Sequence, residues 1–95
     1  MVISRERLKA KAQGFIISIG KMDEKQRAQS PSQEYGRDYN NLLGLVLQAH
    51  SDLTNLLPPP VTFFEGNISW FTKQSYEEIS TFCEQIYQLL STDDV

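Results

Sequence analysis

Two proline-bearing interruptions, Ser30-Pro31-Ser32 and Leu57-Pro58-Pro59-Pro60, divide this chain into three stretches whose apolar residues recur at helical spacing. Proline removes a backbone donor and clashes with the preceding turn, so a helix does not run through a run of three. Within 95 residues there is room for one domain, and 40% hydrophobic with 22% charged residues is enough apolar material to fold it. The expectation is an all-α fold: one domain over 1–95, an antiparallel three-helix bundle with helices at about 4–29, 31–57 and 72–91 and an aromatic-rich loop between the second and third.

The first helix starts after Ser4 as N-cap. Leu8, Ala12, Phe15, Ile16, Ile19 and Met22 step by three and four and form one apolar face. Gly14 and Gly20 weaken it by about 1 kcal/mol each relative to alanine, so packing must hold it, and a kink or early end near Gly20 is the alternative. Lys21 to Asn41 is sparse in apolar groups, which leaves a mobile linker as the alternative to a helical hairpin there. The hairpin is favoured because Ser30, Pro31 and Gln33 supply an N-cap, a first-turn proline and a residue able to reach back to the cap.

The second helix carries the best-defined face: Tyr35, Tyr39, Leu42, Val46, Ala49, Leu53 and Leu56 alternate steps of four and three. The third begins near Thr72 or at Ser75, where Ser75 and Glu78 form a capping box, and buries Tyr76, Ile79, Phe82, Cys83, Ile86, Leu89 and Leu90. Between them, Phe63, Phe64, Trp70 and Phe71 place four of the ten aromatic residues within nine positions. Such a segment is expected to fold back as an apolar lid over one end of the bundle, with a short extended piece at Val61–Phe64.

Charge is segregated. Residues 1–30 hold seven of the nine basic residues against three acids, a net of +4; the remainder holds two bases and nine acids, a net of −7. Arg5, Arg7, Lys9 and Lys11 form a candidate basic surface, which gives an alternative function in binding nucleic acid or a membrane surface. An acidic pI near 5.0 and the absence of a recognition motif argue against nucleic acid, and the core's need for the apolar stripe argues against membrane.

The chemical inventory is short. Cys83 is the only cysteine, so no internal disulfide forms, and the expected compartment is the reducing cytoplasm. No apolar run approaches the roughly 20 residues that span a bilayer. Asn67-Ile68-Ser69 matches a glycosylation acceptor but lacks a secretory context. One histidine, His50, and one cysteine give no catalytic or metal-ligating spacing, so the expectation is no enzyme, no metal and no cofactor.

Asp38-Tyr39-Asn40-Asn41-Leu42-Leu43 resembles the segment following the phosphoacceptor histidine in some sensor kinases, with Arg37 in the acceptor's place. Together with His50 this gives a minor alternative, a histidine phosphotransfer-like signalling bundle; no lysine and glycine stand by His50 to receive a phosphoryl group. The leading expectation is a non-enzymatic protein-protein interaction or adaptor module, self-association as a homodimer included. Tyr35, Tyr39, Phe63, Phe64, Trp70 and Phe71 are the candidate partner contacts, with core packing as their default role.

Overall fold

A computed structural model describes residues 4–64 and 71–91. The fold is all-α, with three main helices: α1 (Arg5–Gly20), α3 (Gln33–Ala49) and α4 (Tyr76–Ser91). A single turn, α2 (Glu24–Arg27), lies between the first two. The main packing contact is α1 on α4. Leu8, Ala12 and Ile19 of α1, Tyr39, Leu42, Leu43 and Val46 of α3, and Ile79, Cys83, Ile86 and Leu90 of α4 form the core, with Val61 added from the connecting segment.

The helix ends differ from expectation in four places. The first helix stops at Gly20 rather than reaching residue 29, because Asp23 starts a new turn: its side chain accepts from the Gln26 N–H at 2.8 Å and the Gln26 amide oxygen accepts from the Asp23 N–H at 3.1 Å. The second helix starts at Gln33, two residues late, with Ser32 rather than Ser30 as its cap. Pro31 precedes it because its carbonyl is engaged elsewhere, accepting from the Thr72 N–H at 3.0 Å. That helix ends at Ala49 rather than 57; Ser51–Leu53 form a 3-10 turn, and the Thr54 hydroxyl donates to the Ser51 carbonyl at 2.6 Å. Serine, aspartate and threonine side chains compete with helical backbone bonds in this way. The third helix begins at Tyr76 rather than 72, because Thr72 is held outside it, its N–H on the Pro31 carbonyl and its hydroxyl on the Gln74 carbonyl; the Ser75–Glu78 capping box, the other start the sequence offered, has both reciprocal bonds at 2.9 and 3.2 Å.

Direction follows from the contacts. Arg5 reaches the Leu90 carbonyl and Lys9 lies over Tyr87, so α1 runs opposite to α4. Phe15 meets Tyr35 and Tyr39, while Lys11 shares a groove with Leu42 and Leu45, so α1 also opposes α3. The pairs Tyr35–Tyr76 and Tyr39–Phe82 make α3 and α4 run the same way. A chain that leaves the end of α3 must therefore travel back to its start before α4 begins.

The proline-rich segment makes that return along the side of α3; the lid expected of the aromatic segment after it falls mostly on 65–70, outside the described residues. The Tyr39 hydroxyl donates to the Pro59 carbonyl at 3.0 Å. Asn40 holds the Val61 backbone at both its N–H and its carbonyl, 2.9 and 3.2 Å. The expected extended piece is present: Phe63 bridges to Thr72, and Phe71 bridges to Ser32. Gly36 of α3 faces Val61, Phe63 and Thr72 with no room for a side chain, which allows this segment to lie against the helix.

Candidate protein-binding surface

The aromatic residues divide into an internal cluster and an outer group. Tyr35 stands edge-on to Phe15 and to Tyr76, with ring centroids 5.3 and 5.1 Å apart. Tyr39 is wholly buried, edge-on to Phe15 at 6.4 Å and tilted on Phe82 at 6.0 Å. Tyr39 therefore takes its default core role and offers no surface to a partner. Phe63 packs half-buried on the core beside Gly36. Phe64 is half-buried, its N–H directed at the Phe71 carbonyl, and the Phe71 side chain is 51% exposed. Trp70 lies outside the described residues.

The interior is strongly apolar, and its titratable groups record that. Burial, and then the adjacent Cys83, push the Tyr35 hydroxyl from 10.0 up to about 12, with Ser18 pulling slightly the other way. Burial raises Tyr39 still further, and burial followed by Glu84 pushes the Cys83 thiol up to about 12. Cys83 is thus a core residue, far from the thiolate state that nucleophilic chemistry requires. Among the described residues, no group of three or more His, Cys, Asp or Glu is placed to hold a metal ion.

Two predictions arise here. The Tyr35 hydroxyl is buried and completes no well-formed hydrogen bond, although the Ser18 side chain lies near enough to oppose the rise in its pKa. Tyr35→Phe is therefore expected to raise stability by about 1 kcal/mol in chemical denaturation, because an unpaired buried polar atom is removed while the ring stays. The second concerns pH. All three raised groups keep their protons longer when folded than when unfolded, so above about pH 9 the unfolded chain binds fewer protons and stability falls as pH rises. Their contribution is fully present below pH 8 and is lost progressively towards pH 12, which a series of melting temperatures would show.

The basic candidates also divide. The Arg5 guanidinium donates to the Leu90 carbonyl at 3.3 Å, satisfying an end-of-helix acceptor on α4. Lys9 places its ammonium 5.5 Å from the Tyr87 ring centroid and 3.8 Å from Glu6. Arg7 and Lys11 are exposed, one turn apart. The basic helix and the acidic α4 are thus joined by a carbonyl contact and a cation–π contact, with the Lys9–Glu6 ion pair inside α1 itself.

Besides Phe71, two large apolar groups that the sequence did not mark as partner contacts stand exposed. Ile17 is 51% exposed and Leu56 62%. Ile17 lies one residue off the α1 stripe, in a segment without charge; Leu56 belongs to the heptad pattern but falls beyond the end of α3. A shallow groove of about 240 Å³ runs between α1 and α4, lined by Gln13, Ile16, Ile17, Glu84, Tyr87 and Gln88. A neighbouring one is formed by Leu56 with Gln85, Gln88 and Leu89, so Gln88 is common to both. Among the described residues no helix is long and apolar enough to cross a membrane. No family model matches this chain, and neither the curated proteins nor the solved structures provide a match.

Proposed function

We infer that the chain is a non-enzymatic protein-binding module: one cytoplasmic domain over residues 1–95, a three-helix bundle with α1 antiparallel to its two neighbours, working without a cofactor. The observation that carries this reading is that Ile17 and Leu56 stay at least half exposed on neighbouring grooves that share Gln88, with Phe71 half exposed on the return segment. The partner is a second copy or another protein that covers these side chains. A second reading, nucleic-acid or anionic-membrane binding, draws on the exposed pair Arg7 and Lys11.

The two readings separate in one experiment. Tagged wild type, Leu56→Glu with Phe71→Glu, and Arg7→Glu with Lys11→Glu are each used for affinity capture from lysate of the source organism, with and without nuclease, and eluates are analysed by mass spectrometry. The apolar double variant is expected to lose a stoichiometric protein that wild type retains through nuclease treatment. Loss confined to the charge-reversed variant, together with sensitivity to salt and nuclease or to anionic vesicles, would establish the second reading instead.

A further inference from the structure

We propose that the outer side of α4, between its two apolar grooves, is the docking site for a basic segment of another protein; this rests on the protein-binding reading above. The segment seats apolar side chains against Ile17 and Leu56 and brings a lysine or arginine to Glu84. The two grooves lie on opposite flanks of α4. Gln88 belongs to both, Glu84 only to the first, beside Ile16 and Ile17, and Gln85 only to the second, beside Leu56 and Leu89. A segment laid across Gln88 therefore reaches both exposed aliphatic groups, Ile17 at 51% and Leu56 at 62%. It also covers Glu84.

That carboxylate decides what the segment must carry. Glu84 is exposed, and its side chain makes no ion pair or hydrogen bond with any other described residue. A partner that covers Ile17 takes Glu84 out of water, and a carboxylate buried without a counter-charge is strongly destabilising. The chain supplies no such charge. Arg5 beside Leu90 and Lys9 beside Tyr87 set Glu84 level with Gln13, an uncharged residue. Lys9, one turn away, lies over Tyr87 and 3.8 Å from Glu6, while Lys11 borders the grooves on the α3 side. The helix α4 has no basic residue of its own. The cation must therefore come from the partner.

The surrounding charge points the same way. From Tyr39 to Ser91 the described acids are Asp52, Glu77, Glu78 and Glu84, and the one lysine or arginine is Lys73, which precedes the far end of α4 from Leu56. An acidic segment would be repelled here, whereas a basic one finds complementary charge. Gln13, Gln85 and Gln88 supply the polar rim that surrounds apolar anchors at protein interfaces.

Selection from a random-peptide display library on the immobilised intact chain tests this, followed by fluorescence polarisation with the enriched peptides. Wild type is expected to enrich peptides that combine large apolar residues with lysine or arginine, and their affinity is expected to fall as salt rises. Ile17→Ser, Leu56→Ser and Glu84→Lys are each expected to weaken such a peptide about tenfold or more, with unchanged helical circular dichroism. Exchanging the peptide's base for glutamate is expected to restore binding to Glu84→Lys, and selection on Glu84→Gln is expected to favour a base no longer. Enriched peptides without a basic excess, or peptides that bind Glu84→Lys as tightly as wild type, would overturn the proposal. If those peptides still depend on Ile17 or Leu56, the protein-binding reading stands; if nothing is enriched, or all three variants leave binding unaltered, both fall. A chain that dimerises in sedimentation equilibrium, and loses its dimer in Ile17→Ser, would put a second copy on this surface and overturn the proposal as well.

Discussion

Tyr39→Ala is expected to lower the free energy of unfolding by about 3–5 kcal/mol, enough to leave a domain of this size partly unfolded at room temperature. The ring is wholly buried where all three main helices meet, against Phe15 of α1 and Phe82 of α4. Its removal leaves a cavity that three separate helices would have to shift to fill. Tyr39→Phe keeps the ring and deletes only the hydroxyl bond to the Pro59 carbonyl, so a loss of about 1–2 kcal/mol is expected. Urea denaturation of both variants separates the packing contribution from the tie that fixes the returning segment. Equal losses would show that the ring itself contributes little.

Gly36→Ala should destabilise the fold by about 1–3 kcal/mol, against the usual rule that alanine in a helix is better than glycine by about 1 kcal/mol. A Cβ at this position would overlap the Thr72 methyl group and stand 3.0 Å from Phe63 and 3.1 Å from Val61. Thr72 is fully buried, and its hydroxyl donates to the Gln74 carbonyl at 2.6 Å, so turning the methyl aside breaks a bond. Gly36→Val, with two more methyl groups, is expected to cost more and to free the segment from α3. Gly44 is the internal control: it lies in the same helix with nothing within 4 Å of its missing Cβ, so Gly44→Ala should stabilise by up to about 1 kcal/mol. Thermal melts of Gly36→Ala and Gly44→Ala should therefore move in opposite directions; a rise in both would mean that the contact between α3 and the return segment is loose.

How much of this was legible depended on whether a feature is local. The start of α4 was readable because Ser75 and Glu78 close a capping box within four residues. The α3 face was readable as far as Ala49, since Tyr39, Leu42 and Val46 repeat on one side of one helix. The break after Gly20 carries an equally local signal, Asp23 followed by Gln26, which the long apolar stripe of the first segment obscured. The common direction of α3 and α4 was not readable, because it depends on whether three prolines lead away from the helix or back along it. That was decided by Asn40 and Gly36, an amide and a gap that leave no periodic trace.

The candidate surface was harder for the same reason. Periodicity places Tyr35 and Tyr39 on one face without distinguishing the half-buried ring from the wholly buried one; Tyr39 is held by Phe82 of α4 and by the returning Pro59, contacts from distant parts of the chain. Aromatic crowding pointed to Phe71, which is exposed, and also to Phe63, which packs on the core. Ile17 was passed over because it stands one residue off the α1 stripe, and Leu56 was assigned to the buried face of the second helix because its spacing continues that face past the residue where the helix ends. Only the packing of α1 on α4 and the early end of α3 leave these two outside.

Hydroxyl-radical footprinting of the intact chain measures most directly whether those apolar side chains are binding groups. The chain is labelled twice, once purified and dilute and once as captured from lysate of its source organism, and oxidation is compared residue by residue at Ile17, Leu56 and Phe71. A binding module is expected to show at least one of the three protected several-fold in the captured sample, with core residues such as Ile86 unchanged. Equal oxidation of all three in both samples, with protection instead at Arg7 and Lys11, would contradict the account.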